Sequence, residues 1–557
     1  MSIGVDTVAS SNRPVALPEV CSPVDDASFD FAIDLVDRSG VCDSLKEALD
    51  KATGRPRGVS LQSVLVGLSL LAMDDRPLLL TSLTDLFYRR LTVSQRARLS
   101  VCGAVSDHQS FLAAYRRVRY CFGLICAAVD PSPLAKNRRL LTEELACLSR
   151  SMTKDETESQ KAKLEKLVNS LIEASVGLLT DEERAAFNGS VGLDATAVAL
   201  WSRGPSKRTG RCASDPDGGW YVREGDHRDE TGPTGKKRTK IAWALEATLV
   251  TMAPGPGAVP THPNLVLGAV LTRPGEDPGG TGARLLTSIR SRGHNAGFLG
   301  ADRAYSAALP ERFHLPVKAL GYSPVMDYRI NELGRQANTG GAVLVEGTWY
   351  CPSIPELLVS ATVDLRGGVI DETAWHARIE ARRPYALKRK DGPDADGYER
   401  LTCPALGEHP GLMCPLRQKS LVPRDGRMKV LDPPTDSPKL CAQSAITVAP
   451  DIGARHRQTL AYGTEEWARR YATLRNTIEG TNGYIKDPAH EALGQPGRRR
   501  VRGIAAQSLF CALLVIAANL RRIRAFRALT AAGNTQAVAS RARRRRVNLN
   551  HFLPATS

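Results

Sequence analysis

The run Val191-Gly-Leu-Asp-Ala-Thr-Ala-Val-Ala-Leu200 is almost wholly apolar and is interrupted by one Asp. An apolar stretch of this length reads as a strand buried inside a sheet. An isolated acid in such a strand costs several kcal/mol unless it is paired or holds a cation. Asp194 is therefore the first candidate functional residue. Outward from this run, residues 241–252 and 264–272 read as two more strands, 281–292 as a helix, and 297–301 as a strand that ends at Asp302 in FLGADRAYS.

The order strand, strand, strand, helix, strand predicts the opening of a ribonuclease-H-like α/β core, in which three strands lie antiparallel before helical crossovers begin. Upstream, residues 29–188 carry apolar positions three and four apart, within 61–73, 80–91 and 111–129. That spacing predicts an all-helical N-terminal domain, a candidate for DNA binding, preceded by a polar and loosely ordered stretch at 1–28. Residues 189–329 would form the first part of the catalytic core, with 204–240 as a long exposed loop beside the first acid. Residues 330–455 are rich in Pro, Gly and short β-prone runs such as 342–345, 348–350 and 359–363, and read as a mainly β insertion. The helical pattern resumes at Glu465, so that 456–528 complete the core and 529–557 form a basic C-terminal tail.

The chain has 557 residues, of which 42% are hydrophobic and 24% charged, which excludes a disordered, fibrous or small disulfide-stapled protein. Twelve cysteines at irregular spacing make no disulfide framework and point to a reducing, cytoplasmic setting. The N-terminal sequence lacks the basic start and apolar run of a secretory signal. Residues 503–520, GIAAQSLFCALLVIAANL, approach the length of a membrane span. Their Gln507, Ser508 and Asn519 instead favour a helix buried on all sides in a large domain. Net charge is +16, yet residues 492–557 hold 13 Arg and no Lys, Asp or Glu, leaving +3 for the rest. Such an excess calls for a polyanion, and nucleic acid is favoured over an acidic membrane surface.

A third acid, Glu479, lies in RRYATLRNTIEGTNGYIK, within the predicted helix after the insertion. Carboxylates brought together repel one another, and a divalent ion relieves the repulsion. Oxygen-only ligation suits Mg²⁺ or Mn²⁺, the ions of phosphoryl transfer. At about 100° per residue, Tyr471, Arg475, Glu479 and Lys486 fall within an arc of roughly 80°. They place a carboxylate beside two cations and an aromatic hydroxyl. A solvated face with Arg475 and Glu479 as an i,i+4 pair is the competing reading.

With these residues the chain resembles a bacterial insertion-sequence transposase of the DDE class, in the group marked by a Tyr–Arg–Glu–Lys signature. Arg475-NTI-Glu479-GTNGYI-Lys486 has that group's spacings of three and six residues, whereas Tyr471-ATL-Arg475 has three residues where the group has two. Asp302-Arg-Ala-Tyr305 resembles the second-acid motif, with Ala where many relatives have Gly. The resemblance covers residues 190–525. It implies that Asp194, Asp302 and Glu479 are the catalytic acids and hold Mg²⁺ or Mn²⁺, and that Tyr471, Arg475 and Lys486 contact DNA. It also implies cutting of transposon ends, joining to double-stranded target DNA, a homodimer in the DNA complex, no membrane partner, and a cytoplasmic, nucleoid-associated location. The alternatives are a stand-alone nuclease on the same fold and a catalytically silent DNA-binding descendant. Relatives often lodge an extruded base against an aromatic of the insertion; core packing is the simpler account of Trp349 and Trp375 here. Cys351, Cys403, His409, Cys414 and Cys441 form a loose cluster that matches no standard zinc spacing and reads as unpaired thiols. The run 541–546 reads as a basic tail, solvated or touching phosphates.

Overall fold

A computed structural model describes residues 22–49, 58–205, 210–224, 239–255, 260–422 and 427–532. From Asp26 to Ala185 the described chain consists of helices joined by turns. The long ones are α1 (Leu61–Met73), α2 (His108–Val129) and α3 (Lys154–Val176). Each begins where the sequence supplies a reciprocal cap: Ser60 with Ser63, Asp107 with Ser110, and Thr153 with Glu156. The first helix starts at Asp26, inside the stretch expected to be loose, because Asp25 accepts a hydrogen bond from the Ser28 N–H. Residues 1–21 lie outside the described residues.

The central sheet contains β1 (Val191–Ala199), β2 (Gly219–Glu224), β3 (Thr239–Met252), β4 (Val266–Thr272), β5 (Phe298–Ala301) and β6 (Ser323–Val325). β3 runs antiparallel to β1, and its two halves pair antiparallel with β2 and β4. β5 lies parallel to the other side of β1, and β6 parallel to β5. Helix α4 (Pro278–Ser291) links β4 to β5. The architecture is thus mixed α/β, with strand order β4-β3-β1-β5-β6 and β2 alongside β4 on β3.

Strand β2 corrects the expectation of a continuous loop over 204–240. It forms because β3 is long enough to offer it a partner, and Trp220 meets Trp243 edge-on at 5.4 Å. Nor are residues 213–218 exposed, while 206–209 and 225–238 lie outside the described residues. Asp215 and Asp217 are buried and accept from the N–H groups of Gly503 (3.1 Å) and Ile504 (2.9 Å). Two carboxylates thereby sit at the positive end of α6 (Ile504–Ala531).

Helix α6 is long and apolar enough to cross a membrane, but 89% of its apolar window is buried inside the protein. It packs against α3, β4, α1 and α2. Its Asn519 explains why a polar residue interrupts so apolar a run. The Asn519 amide accepts from Val266 N (2.8 Å) and donates to Val266 O (2.9 Å). From α3, Asn169 does the same for Ala269. Two side-chain amides thus cover backbone groups of β4 that β3 does not reach, closing the sheet edge.

The insertion is less β-rich than its composition indicates. Two three-stranded antiparallel sheets are present, Arg335–Thr339 with Ala342–Val345 and Thr348–Tyr350, and Lys388–Asp391 with Glu399–Thr402 and Ala445–Val448. Between them, Glu356–Val359, Ala361–Arg366 and Glu372–Ala381 are helical. The β-prone run 359–363 therefore belongs to helices: Ser360 bonds Asp364 four residues on, and Arg378 from the third helix ties to the same Asp364. Tertiary contacts override the weak strand preference of Val and Thr.

The basic C-terminal stretch does not make one uniform face. Arg498 pairs with Asp75, Arg521 with Glu491 and Arg527 with Glu183. Arg499 is buried on Gln507 and the Leu493 carbonyl, and half-buried Arg522 bonds Thr481 and the Asn264 carbonyl. Arg499, Arg521, Arg522 and Arg527 tie α6 to its surroundings, and Arg498 ties the turn before it to Asp75; the run 541–546 lies outside the described residues.

Candidate active site

Leu193 on β1 stands opposite Ala301 on parallel β5. One residue beyond that pair on each chain come Asp194 and Asp302, near enough that the Asp302 charge raises the Asp194 carboxyl. Two residues earlier, on the same face by the strand period of two, Gly192 stands opposite Gly300. This glycine pair lets helix α5 (Glu465–Lys486) lie on the sheet. A Cβ on Gly192 would meet the Leu474 carbonyl at 2.8 Å, and one on Gly300 would meet Leu474 Cβ at 2.4 Å.

Helix α5 then extends along β1 and meets each residue of that face. Asn482 donates from Nδ2 to Asp194 (3.0 Å), and Lys486 from Nζ to Thr196 (2.6 Å). Arg475 lies between two acids: Nη2 donates to Glu479 at 2.6 Å, while Nη1 is 3.9 Å from Asp194. Asp302 caps the short helix Arg303–Ser306 through the Ala304 N–H at 2.7 Å. Arg303 pairs with buried Asp327, which also accepts from the Tyr462 hydroxyl at 2.7 Å.

Burial pushes the Asp194 carboxyl up to about 6; Arg475 opposes the rise, and the charges on Asp302 and Glu479 add to it. Burial works against the Arg475 charge, yet the carboxylates of Asp194 and Glu479 outweigh it and its pKa stands above the ordinary value. Tyr471 is raised by burial and then by the Asp327 carboxylate, and its ring stacks on Trp467 at 5.1 Å. All six residues singled out from sequence therefore lie around one end of the β1–β5 pair, with Glu479 the most exposed acid at 55%.

The donor set is oxygen only, three carboxylates beside the Asn482 amide, whose Oδ1 is buried without a hydrogen-bond partner. That chemistry fits a hard divalent cation. Among the described residues, no three His, Cys, Asp or Glu side chains already form a ligating group. Arg475 is the cation paired with Glu479.

Toward the N-terminal end of α5, a cavity of about 530 Å³ is lined by Trp375, Tyr462, Trp467 and Tyr471, with Arg366 and Arg469 at its wall. Trp349 is core-packed as expected, 6% exposed, but Trp375 faces this cavity. Sequence reasoning missed Asn482, Asp327 and the glycine pair. The signal for the last was present: Gly192-Leu-Asp194 and Gly300-Ala-Asp302 repeat the same Gly-x-Asp pattern.

No family model, curated protein or solved structure matches this chain.

Proposed function

We propose that the chain is a DNA transposase of the DDE type on a ribonuclease-H-like core, cutting transposon ends and joining them to target DNA. The observation that carries this reading is the placement of Asp194 and Asp302 each one residue beyond the Leu193–Ala301 pair of the parallel strands β1 and β5, with the helix bearing Glu479 laid against β1. The strand order, antiparallel β4-β3-β1 followed by parallel β5 and β6, supports the core assignment.

Asp194, Asp302 and Glu479 would hold Mg²⁺ or Mn²⁺, which when bound supplies Lewis-acid stabilisation of the attacking and leaving oxygens. Arg475, once released from Glu479, and Lys486 at the helix end are placed to hold phosphates by charge-assisted hydrogen bonds. Asn482 fixes one Asp194 oxygen and leaves the other directed toward Arg475. The aromatic cavity beside Tyr471 offers stacking surfaces for an extruded base, the role that relatives give to an aromatic of the insertion. Double-stranded DNA is the partner in this reading, with a homodimer bringing two ends together.

The test is an assay with labelled DNA from the inverted repeats flanking the coding region, with Mg²⁺ present. Cleavage followed by joining supports the proposal; cleavage alone identifies a nuclease, and binding alone a silent descendant.

A further inference from the structure

Four buried cysteines of the insertion take no part in the site above. Cys351 follows the strand Thr348–Tyr350, Cys403 follows Glu399–Thr402, Cys414 follows Leu412–Met413, and Cys441 lies in the short helix Lys439–Ala442. None is more than 8% exposed, and none is in a disulfide. Cys351, Cys403 and Cys414 lie in one buried cluster that also holds Leu440, the residue beside Cys441.

Two of the four sit in matching turns. In Cys403-Pro-Ala-Leu406 the Leu406 N–H donates to the Cys403 carbonyl at 3.1 Å, and in Cys414-Pro-Leu-Arg417 the Arg417 N–H donates to the Cys414 carbonyl at 2.9 Å. Each turn presents its thiol at the first position, at the end of a strand. Arg417 then reaches from Nη2 to the carbonyls of Leu440 (3.3 Å) and Gln443 (2.5 Å), strapping the second turn to the helix that carries Cys441.

We propose that Cys351, Cys403, Cys414 and Cys441 are the ligands of a structural Zn²⁺ that ties together the separate pieces of the insertion. One ion would join the end of the first sheet, the end of a strand in the second, the short parallel pair of Leu412–Met413 with Met428–Lys429, and the 439–442 helix. Strands of two to five residues bury little of their own surface, and a metal staple is the usual remedy. Binding converts four thiols to thiolates and releases four protons to solvent, giving a site of net charge about −2. The Arg417 guanidinium, whose charge is felt at Cys403 and Cys441, offsets that charge. Among the described residues the sulfurs do not form a ligating group, so metal binding would have to draw the four thiols together, a cost set against the free energy that a structural zinc site returns.

Metal analysis of the purified full chain tests this. The expected result is one zinc per chain that survives gel filtration, is lost in Cys403→Ser and Cys414→Ser, and is kept in Asp302→Asn. Replacement by Co²⁺ should give the thiolate charge-transfer and tetrahedral d–d bands in the wild-type chain, a readout that holds even where a Cys variant fails to fold. Wild-type protein without zinc and without those bands overturns the proposal, as does zinc retained in both Cys variants.

Discussion

Replacing Arg475 with Ala separates two roles that its position combines. Its guanidinium lies 2.6 Å from Glu479 and 3.9 Å from Asp194, so a divalent ion at the proposed site would gain Glu479 only by displacing it. Glu479 is 55% exposed, and a pair of that exposure is worth ~0.5–1 kcal/mol. Its removal should therefore tighten metal binding roughly two- to five-fold. Removal also leaves the acids more negative, which acts in the same direction. The assay is titration of the DNA-free protein with Mn²⁺, reading free ion by electron paramagnetic resonance at pH 8, well above the Asp194 value of about 6. Cleavage of end DNA by the same variant should fall, because a phosphate contact is lost. Mn²⁺ affinity equal to or weaker than wild type would refute the view of Arg475 as a stand-in for the ion.

Four further outcomes follow from the geometry. Burial raises Asp194 to about 6, against ~3.9 in an unfolded chain. Its share of metal-free stability is complete below that unfolded value and is lost as pH rises through the folded one, a loss of ~2–3 kcal/mol. Asp194→Asn should match wild type at pH 4 and exceed it in Tm at pH 8 without metal; equal Tm at pH 8 contradicts this. Gly300→Val drives a Cβ into Leu474, an overpacking cost of ~1–3 kcal/mol, measurable by urea unfolding; unchanged stability would mean that α5 does not rest on the glycine pair. Asn519→Leu strips Val266 of two backbone partners and should destabilise by ~2–4 kcal/mol in the same experiment. Asp302→Asn should abolish both cleavage and joining while circular dichroism and Tm stay near wild type, and full activity in that variant removes Asp302 from the site.

The elements with strong periodicity were legible without coordinates. Residues 61–73 form α1 as read, and α5 begins at Glu465 where the helical pattern resumes. The acids were legible because a carboxylate in an apolar strand demands a partner. The partners themselves were not, since an Asn three residues after Glu479 looks like any helical Asn until Asp194 is set against it. β2 escaped because its support comes from a strand twenty residues away in sequence, and the helices of 356–381 because packing there outweighs propensity. The Arg excess was read as a surface feature, whereas Arg499 is interior and Arg522 half-buried, and only tertiary structure tells such residues apart.

The proposed convergence of three acids on a shared divalent ion is tested most directly by iron-directed backbone cleavage. Fe²⁺ is bound in place of Mg²⁺, ascorbate and peroxide are added, and the cut sites are mapped by mass spectrometry. Scission beside Asp194, Asp302 and Glu479, all abolished together in Asp302→Asn, is the predicted result. Scission elsewhere, or a pattern untouched by that substitution, would contradict it.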